Sequence, residues 1–295
     1  MIRFANNMKT VLLMGGLMGL CLLVGAQFGQ RGMFLALMMG GMMNVVAWFF
    51  SDKIAIMSMR GVEVTAESPG IGGELYHQVD EMRQRAGLPM PRVYICPHDA
   101  PNAFATGRSP SKAAVAVTEG ALRLLSLPEL RGVIGHELAH VKNRDTLISC
   151  IASVMAGLLA WFAHWGWLFA GGGRNDERGG HPIAGLVMLI FAPLAAAIIK
   201  SMISRSREYV ADNEGARIAG SPDGLISALR KLEAMSNRVP LDNPNPAMNN
   251  LFIIEPLTGK SIMNLFATHP ETEKRVAALM SLREEMAARG ELVPA

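Results

Sequence analysis

The sequence is poor in the features that identify several common classes of protein. It has only three cysteines, Cys21, Cys96 and Cys150, and at this wide spacing neither a zinc ribbon nor a disulfide framework is expected. Its lysines and arginines are scattered, its formal net charge is only +3, and no aromatic platform accompanies the basic residues, so no nucleic-acid partner is expected. It also has no P-loop or dinucleotide-binding fingerprint. Three unpaired thiols suit a reducing compartment such as the cytoplasm.

Half of the residues are hydrophobic, and many of them are concentrated in four apolar runs. The runs cover residues 10–26, 33–50, 147–170 and 183–203. A membrane-spanning helix needs about 20 apolar residues, so these runs predict four transmembrane helices. Lysine and arginine border the runs before the first and third and after the second and fourth. By the positive-inside rule, we expect both termini and the connection between the second and third runs in the cytoplasm.

The rest of the chain is expected to form one water-facing domain from two separated segments. The predicted boundaries are 1–50 and 146–203 for the two transmembrane hairpins, and 51–145 and 204–295 for the two cytoplasmic parts. Because both cytoplasmic parts are small and tethered to the same membrane face, we expect them to fold together. Strands are predicted over residues 92–96 and 113–118. The predicted fold class is a mostly α membrane protein with a discontinuous cytoplasmic α+β domain that contains a small sheet.

The pentapeptide His136-Glu137-Leu138-Ala139-His140 is the most specific chemical signal in the chain. It falls in a segment predicted to be helical from residue 127 to about residue 142, which begins with a capping box formed by Ser126 and Glu129. Two histidines four residues apart lie on one face of a helix and can bind one zinc ion, while the glutamate between them points toward the water on that ion. A buried histidine pair without a metal is the alternative interpretation.

A catalytic zinc site needs a third protein ligand, and Glu208 is the best candidate. Asp212 lies four residues later on the same helical face, where it could orient a ligating histidine. If the motif helix runs straight into the third span and the fourth span continues to Glu208, then His140 and Glu208 lie roughly 10 and 12 Å outside the membrane core. The two candidate ligands would then share one depth. An exposed acidic pair at the end of a span is the alternative.

Four segments together resemble the HtpX-type membrane metallopeptidases, which are relatives of the CAAX prenyl proteases within the gluzincins. The segments are Pro-Asn-Ala-Phe-Ala at 101–105, His-Glu-Leu-Ala-His-Val-Lys-Asn-Arg-Asp at 136–145, residues 204–212, and Thr-His-Pro at 268–270 with an arginine following at 275. The resemblance covers most of the chain, and four hydrophobic spans in these positions match the family as well. It implies a zincin-like peptidase domain.

The resemblance also implies a role for individual residues. One zinc ion per chain would be held by His136, His140 and Glu208, with Glu137 as the general base. Asp212 would orient a ligand, and His269 and Arg275 would support the transition state or the substrate. Asn102 would sit beside the edge strand that receives a peptide, which we expect to be the strand that contains Ala113, Ala114, Val115, Ala116 and Val117. Without the resemblance, the alternative interpretation of His269 is an ordinary loop residue, and that of Asn102 is a residue that favours a turn.

The function that the resemblance implies is zinc-dependent endopeptidase activity at the cytoplasmic face of a bacterial inner membrane. The implied substrates are misfolded or damaged membrane proteins, so the implied partners are polypeptides and the lipid bilayer. It also raises a functional link to an ATP-dependent membrane protease, which the sequence itself does not identify. Two other readings stay open at this point: a dedicated processing peptidase, and a catalytically silent zinc-binding membrane scaffold.

Overall fold

The computed structural model describes residues 2–26, 29–149, 151, 205–236 and 271–293. The described helices are α1 (Ile2–Ala26), α2 (Gly29–Ser58), α3 (Ile71–Ala86), α4 (Glu119–Leu124), α5 (Leu127–Asn143), α6 (Arg205–Ala219), α7 (Asp223–Ser236) and α8 (Thr272–Ala288). The described strands are β1 (Val62–Val64), β2 (Arg92–Cys96), β3 (Ala103–Thr106) and β4 (Ala114–Thr118). The fold is therefore mostly helical with one small mixed sheet, as the composition and patterning predict.

The first two predicted spans are helices that pack along each other. Of the described helices, α2 is long and apolar enough to cross a membrane, while α1 contains a shorter apolar stretch, Met8–Leu23. Side chains such as Phe34 and Met38 on α2 are more than half exposed, which suits a lipid environment better than water. The third and fourth predicted spans lie almost wholly outside the described residues, so the prediction of four spans stays a prediction.

The sheet has the strand order β1-β2-β4-β3. β2 runs parallel to β4, while β1 and β3 pair antiparallel with β2 and β4. The prediction of a strand at 92–96 is confirmed, and the strand predicted at 113–118 begins one residue later. However, the prediction that this second strand lies at the edge of the sheet is wrong. β4 lies between β2 and β3, and β3 is an edge strand of the described sheet.

The composition of β4 explains its central position. Its residues are small or β-branched and are fully buried on both faces, which is the pattern of a central strand rather than of an exposed edge. One face of the sheet packs on α5, and the other packs on the last two turns of α2. On that second face, Ala55 and Ile56 of α2 join Phe104 of β3 in one cluster. The edge strand is thus held between the motif helix and the end of an apolar helix.

Helices α6 and α7, from the segment predicted to be the second cytoplasmic part, pack directly on α5. A glycine pair allows α6 to approach closely, because a Cβ placed on Gly135 would lie 2.5 Å from the carbonyl oxygen of Gly215. α7 approaches the same helix near Gly132, and α8 packs against α6 and α7. The described parts of residues 51–145 and 204–295 therefore pack against each other, and α6 lies beside the histidine motif.

Candidate metal centre

Helix α5 carries the two histidines, and its start is fixed by the predicted capping box. The Ser126 N–H donates a hydrogen bond of 2.7 Å to Glu129 Oε2, and the helix runs to Asn143. His136 and His140 project from one face, as their spacing predicts. Their Nε2 atoms lie 3.1 Å apart with the rings nearly perpendicular, so both nitrogens are directed at the same small volume.

Glu208 enters that volume from α6. Its Oε2 lies 3.6 Å from His136 Nε2, and its Oε1 lies 3.7 Å from His140 Nε2. One ligand atom from each of the three residues falls within 4.8 Å of the other two. Ligand atoms around a tetrahedral zinc ion, each about 2.1 Å from the metal, are roughly 3.4 Å apart. The three side chains are therefore compatible with one metal ion, and the predicted convergence of two imidazoles with a distant acid is present in the fold.

The first histidine is held by Asp212 and Arg275. His136 Nδ1 lies 2.9 Å from Asp212 Oδ1, and the Arg275 guanidinium donates to both Asp212 oxygens at 2.8 and 2.7 Å. All three side chains are almost completely buried. Burial alone would raise the pKa of Asp212, but the charge and hydrogen bonds of Arg275 outweigh it and lower that pKa. Burial lowers the pKa of His136, yet hydrogen bonds with the two carboxylates raise it to about 9.

The second histidine is held by a pair that sequence reasoning missed. Asp145 Oδ2 lies 3.2 Å from His140 Nδ1, and Arg207 Nε lies 3.1 Å from Asp145 Oδ1. Burial raises the pKa of Asp145, but the hydrogen bond with His140 and the charge of Arg207 together lower it below its usual range. Each histidine of the motif therefore has its own aspartate, and each aspartate has its own arginine.

The turn after α5 explains why Asp145 reaches back to the histidine. Arg144 adopts a left-handed conformation with φ of 58°, and the N–H groups of Arg144 and Asp145 bond to the carbonyls of Val141 and His140. The condition used in the depth estimate, a helix that runs straight into the third span, is therefore not met, since α5 ends at this turn. Asp145 follows His140 by five residues, whereas residues on one helical face are three or four apart, so the helical pattern does not predict their contact. The polar character of residues 143–145 was the only local indication.

Glu137 is buried between the two histidines and the sheet. Its carboxylate accepts a hydrogen bond of 2.8 Å from the backbone N–H of Ala105 on β3. Burial raises the pKa of Glu137 above its usual range, although the two histidines and the Ala105 N–H act in the opposite direction. A carboxylate in this position has a greater tendency to bind a proton than one in water.

Asn102 lies where β3 begins, and it is buried. Its N–H donates to Thr118 Oγ1 at 2.8 Å, while its carbonyl accepts from the Thr118 N–H at 2.9 Å. The backbone of Asn102 thus fixes the start of the edge strand to the end of β4. Its predicted contact with a substrate stays a prediction.

The remaining predicted site residues divide into two groups. His269 lies outside the described residues. The five residues predicted to bind substrate are at most 3% exposed and lie in or beside the central strand β4, so this prediction is corrected: Ala113, Ala114, Val115, Ala116 and Val117 belong to the core. The neighbouring strand β3 takes the place at the edge of the described sheet.

Comparisons with known proteins agree with this geometry. Residues 72–283 match the family model described as "Peptidase family M48". The chain is 48% identical over 279 residues to a "Protease HtpX homolog" of Desulforapulum autotrophicum. The aligned region covers 93% of this chain and 89% of the relative. It is 50% identical over 285 residues to a homologue of the same name from Desulfatibacillum aliphaticivorans, which covers 95% and 91%.

A solved structure has a similar fold. The crystal structure of S. mikatae Ste24p matches with a TM-score of 0.52 at 18% sequence identity. The match covers 93% of this chain but only 64% of the Ste24p chain. At this identity the likeness concerns the fold alone.

Proposed function

We propose that this chain, which belongs to peptidase family M48, hydrolyses peptide bonds of misfolded or damaged membrane proteins at the cytoplasmic face of a bacterial inner membrane. It is a metalloprotease, as the family and its HtpX homologues establish. The observation that carries the rest of the proposal is the position of Glu137. This buried carboxylate lies beside the histidine ligands on one side and contacts the edge strand on the other.

The proposed metal ligands are His136, His140 and Glu208, and two imidazoles with one carboxylate suit zinc. A zinc ion bound there supplies Lewis-acid activation of water and of the scissile carbonyl. For both imidazoles to present Nε2 to the ion, each must carry its proton on Nδ1. Asp212 Oδ1 lies 2.9 Å from His136 Nδ1, and Asp145 Oδ2 lies 3.2 Å from His140 Nδ1, so each carboxylate favours the tautomer with the proton on Nδ1.

Glu137 is the proposed general base. Its carboxylate is beside the metal ligands in sequence and space, and burial raises its pKa. It can therefore take a proton from the attacking water and later pass that proton to the leaving amine. The Ala105 N–H holds one carboxylate oxygen in place, which leaves the other oxygen for proton transfer.

Arg275 is proposed to act through Asp212, which it contacts directly. The proposed transition-state role of His269 rests on the sequence resemblance alone.

The proposed substrate site is the outer border of β3. Because Asn102 exchanges hydrogen bonds with Thr118 on β4, the alternate residues Ala103 and Ala105 direct their backbone groups away from β4. An extended segment can add to this border as a further strand through the backbone groups other than the Ala105 N–H, which is bonded to Glu137, and its backbone then lies next to Glu137. Recognition through backbone groups depends little on side chains, so it favours unfolded segments over particular sequences.

The proposed location follows from α2. This apolar helix ends by packing under the sheet, which supports a position of the peptidase domain directly against the membrane face from which α2 would emerge. The distribution of lysine and arginine supports a cytoplasmic location for that face. Membrane proteins with unfolded cytoplasmic segments are therefore the polypeptides that this site meets most readily. A functional link to an ATP-dependent membrane protease is an additional proposal that rests on the resemblance.

The test uses purified protein in proteoliposomes together with a stable membrane protein and a destabilised variant of the same protein. With zinc present, the destabilised substrate should be cleaved faster, and a chelator should stop cleavage.

Glu137→Gln should retain zinc, but its rate of cleavage should fall by a factor of about 10² to 10⁴, the usual contribution of a general base. Glu74→Gln, a change at an exposed position on α3, is the matched control and should cleave normally. Equal cleavage of both substrates would contradict the quality-control role, and full activity of Glu137→Gln would contradict the mechanism.

A further inference from the structure

We infer that Asp145 and Arg207 form a positioning pair for His140, which holds its imidazole so that Nε2 faces the metal position. The inference rests on the proposed metal-dependent hydrolysis and adds two positioning residues to it. Arg207 is contributed by α6, immediately before the proposed ligand Glu208, while Asp145 is contributed by the turn that ends α5.

The contacts define a continuous chain of groups. His140 Nδ1 lies 3.2 Å from one oxygen of Asp145, and Arg207 Nε lies 3.1 Å from the other oxygen. Arg207 Nη2 also donates 3.0 Å to the backbone carbonyl of Asp145. The guanidinium therefore contacts both the side chain and the main chain of the same residue, which fixes the carboxylate as well as the turn that carries it.

The turn alone does not require the carboxylate. The helix end is already satisfied by backbone groups, since the Asp145 N–H donates to the carbonyl of His140. The Asp145 side chain is nevertheless only 3% exposed, and taking a carboxylate out of water costs several kcal/mol unless it is paired. Because the backbone of the turn does not require the Asp145 carboxylate, we infer that this buried charge has another role. The carboxylate contacts the imidazole of His140, a proposed metal ligand.

The other histidine of the motif shows the same arrangement built from different elements. His136 contacts Asp212, and Asp212 contacts Arg275 through two hydrogen bonds. Asp212 and Arg275 come from α6 and α8, whereas Asp145 is local to α5. One aspartate and one arginine thus serve each histidine, with α6 contributing Asp212 to one set and Arg207 to the other, which supports a shared purpose in orienting the rings.

The position of Arg207 next to Glu208 has a further effect. Two consecutive residues of α6 act on the metal centre. Glu208 is the proposed third ligand, and Arg207 holds Asp145, which in turn contacts the ligand His140. The same turn is also joined to β3, because the Thr146 hydroxyl donates 2.8 Å to the carbonyl of Gly107 just after that strand. A displacement of α6 would therefore disturb Glu208 and His140 together.

The test measures zinc affinity of the full-length protein in detergent by competition with a chromophoric chelator. Loss of a partner of a ligating histidine typically weakens metal binding 10- to 100-fold, so we expect about this loss for Asp145→Ala. Asp145→Asn should lose less, since an amide oxygen still accepts from Nδ1–H. Arg207→Lys keeps the positive charge but not the planar guanidinium with its several donors. Its zinc affinity should lie between those of Asp145→Asn and the wild type.

The matched control is Glu214→Gln. Glu214 is also an acid of α6 that pairs with the end of α5, through Lys142 at 2.7 Å and Asn143 at 2.8 Å, but it contacts neither histidine in these pairs. Its substitution should leave zinc affinity unchanged. The visible absorption spectrum of the cobalt-substituted protein gives a second measurement, and it should change in Asp145→Ala but not in Glu214→Gln.

The outcomes separate the positioning pair from the peptidase proposal. If wild type binds zinc without cleaving any substrate, the proposed function fails, yet the affinity series still tests the pair. If Asp145→Ala does not fold, Asp145→Asn and Arg207→Lys still decide the question. Zinc affinity within twofold of wild type in both of those variants, or an equal loss in Glu214→Gln, would overturn the inference.

Discussion

The backbone of Gly215 on α6 lies against the backbone of His136 on α5. A Cβ added to Gly215 would lie 2.6 Å from both the Cα and the nitrogen of His136, a separation that real Cβ atoms do not reach. The approach occurs beside the first proposed metal ligand, and α6 also carries Glu208 and Asp212. The distance between the two helices therefore sets the distance between the ligands.

Gly215→Ala should separate α6 from α5 and weaken the metal centre. Overpacking in a tight interface typically costs about 1–3 kcal/mol, so the melting temperature should fall and zinc affinity should fall with it. Differential scanning fluorimetry and zinc titration measure the two effects. Gly19→Ala is the matched control, because a Cβ at this helical glycine meets nothing within 4 Å. A Gly215→Ala protein with wild-type zinc affinity would show that the contact does not position the ligands.

Glu208→Gln should lose metal while the fold is kept. The amide is a much weaker zinc ligand than the carboxylate, and the loss should exceed the roughly 10- to 100-fold effect of removing an outer partner. Elemental analysis after dialysis should find about one zinc ion per wild-type chain and almost none in the variant. Glu214→Gln on the same helix should behave as wild type. One zinc ion in the dialysed Glu208→Gln protein would remove Glu208 from the ligand set.

Phe104→Leu should weaken substrate binding more than metal binding. The Phe104 side chain is 2% exposed and packs between β3 and the end of α2, so its replacement loosens the strand that is proposed to receive the substrate. A conservative change of this kind costs about 1 kcal/mol or somewhat more. We expect a raised KM for an unfolded substrate with zinc affinity unchanged. Phe34→Leu, at an exposed position on α2, should alter neither quantity. Loss of zinc in Phe104→Leu would contradict a role confined to the strand.

Glu129 should make stability depend on acidic pH. Burial raises its pKa, but hydrogen bonds with Lys231, Ser227 and Ser126 outweigh burial and lower it to about 2 in the folded protein. The unfolded chain has the ordinary value near 4.5, so the carboxylate stabilises the fold fully above that pH. This contribution, about 3 kcal/mol, is lost as the pH falls from 4.5 toward 2.

The measurement is the difference in unfolding temperature between wild type and Glu129→Gln from pH 7 down to pH 3. The difference should be largest at neutral pH and should shrink as the solution becomes acidic. Glu74→Gln, at an exposed position, should follow the wild-type curve throughout. A constant difference across the series would mean that the stabilising contribution of Glu129 does not depend on its charge.

The parts of the molecule that depend on local spacing could be predicted from the sequence. The capping box at Ser126, the motif helix and the strand at 92–96 each follow from residues within a few positions of one another. The pairing of Glu208 with the two histidines is long-range, but the shared depth of its segment and the motif helix made it predictable. That prediction holds even though one of its assumptions, a straight helix after His140, is not met.

The errors arose where three-dimensional context decides the outcome. Alternating alanine and valine indicated a strand at 113–118, but the number of its neighbours depends on where Ala103–Thr106 pairs, and that short strand was not predicted. The contact of Asp145 with His140 was not predicted, because it depends on a left-handed residue, Arg144. Non-glycine residues seldom adopt that conformation, so sequence patterns rarely predict it.

The order of the proposed ligands along the chain affects when the enzyme can first act. Glu208 follows His140 by 68 positions (208 minus 140), and the third and fourth predicted spans lie between them. During synthesis, a chain that has delivered only the histidine motif carries two imidazoles without their acidic partner. Proteolytic competence would therefore begin only after the segment between His140 and Glu208 has been synthesised and α6 has docked on α5, so a copy that lacks a docked α6 would be unable to cleave its neighbours.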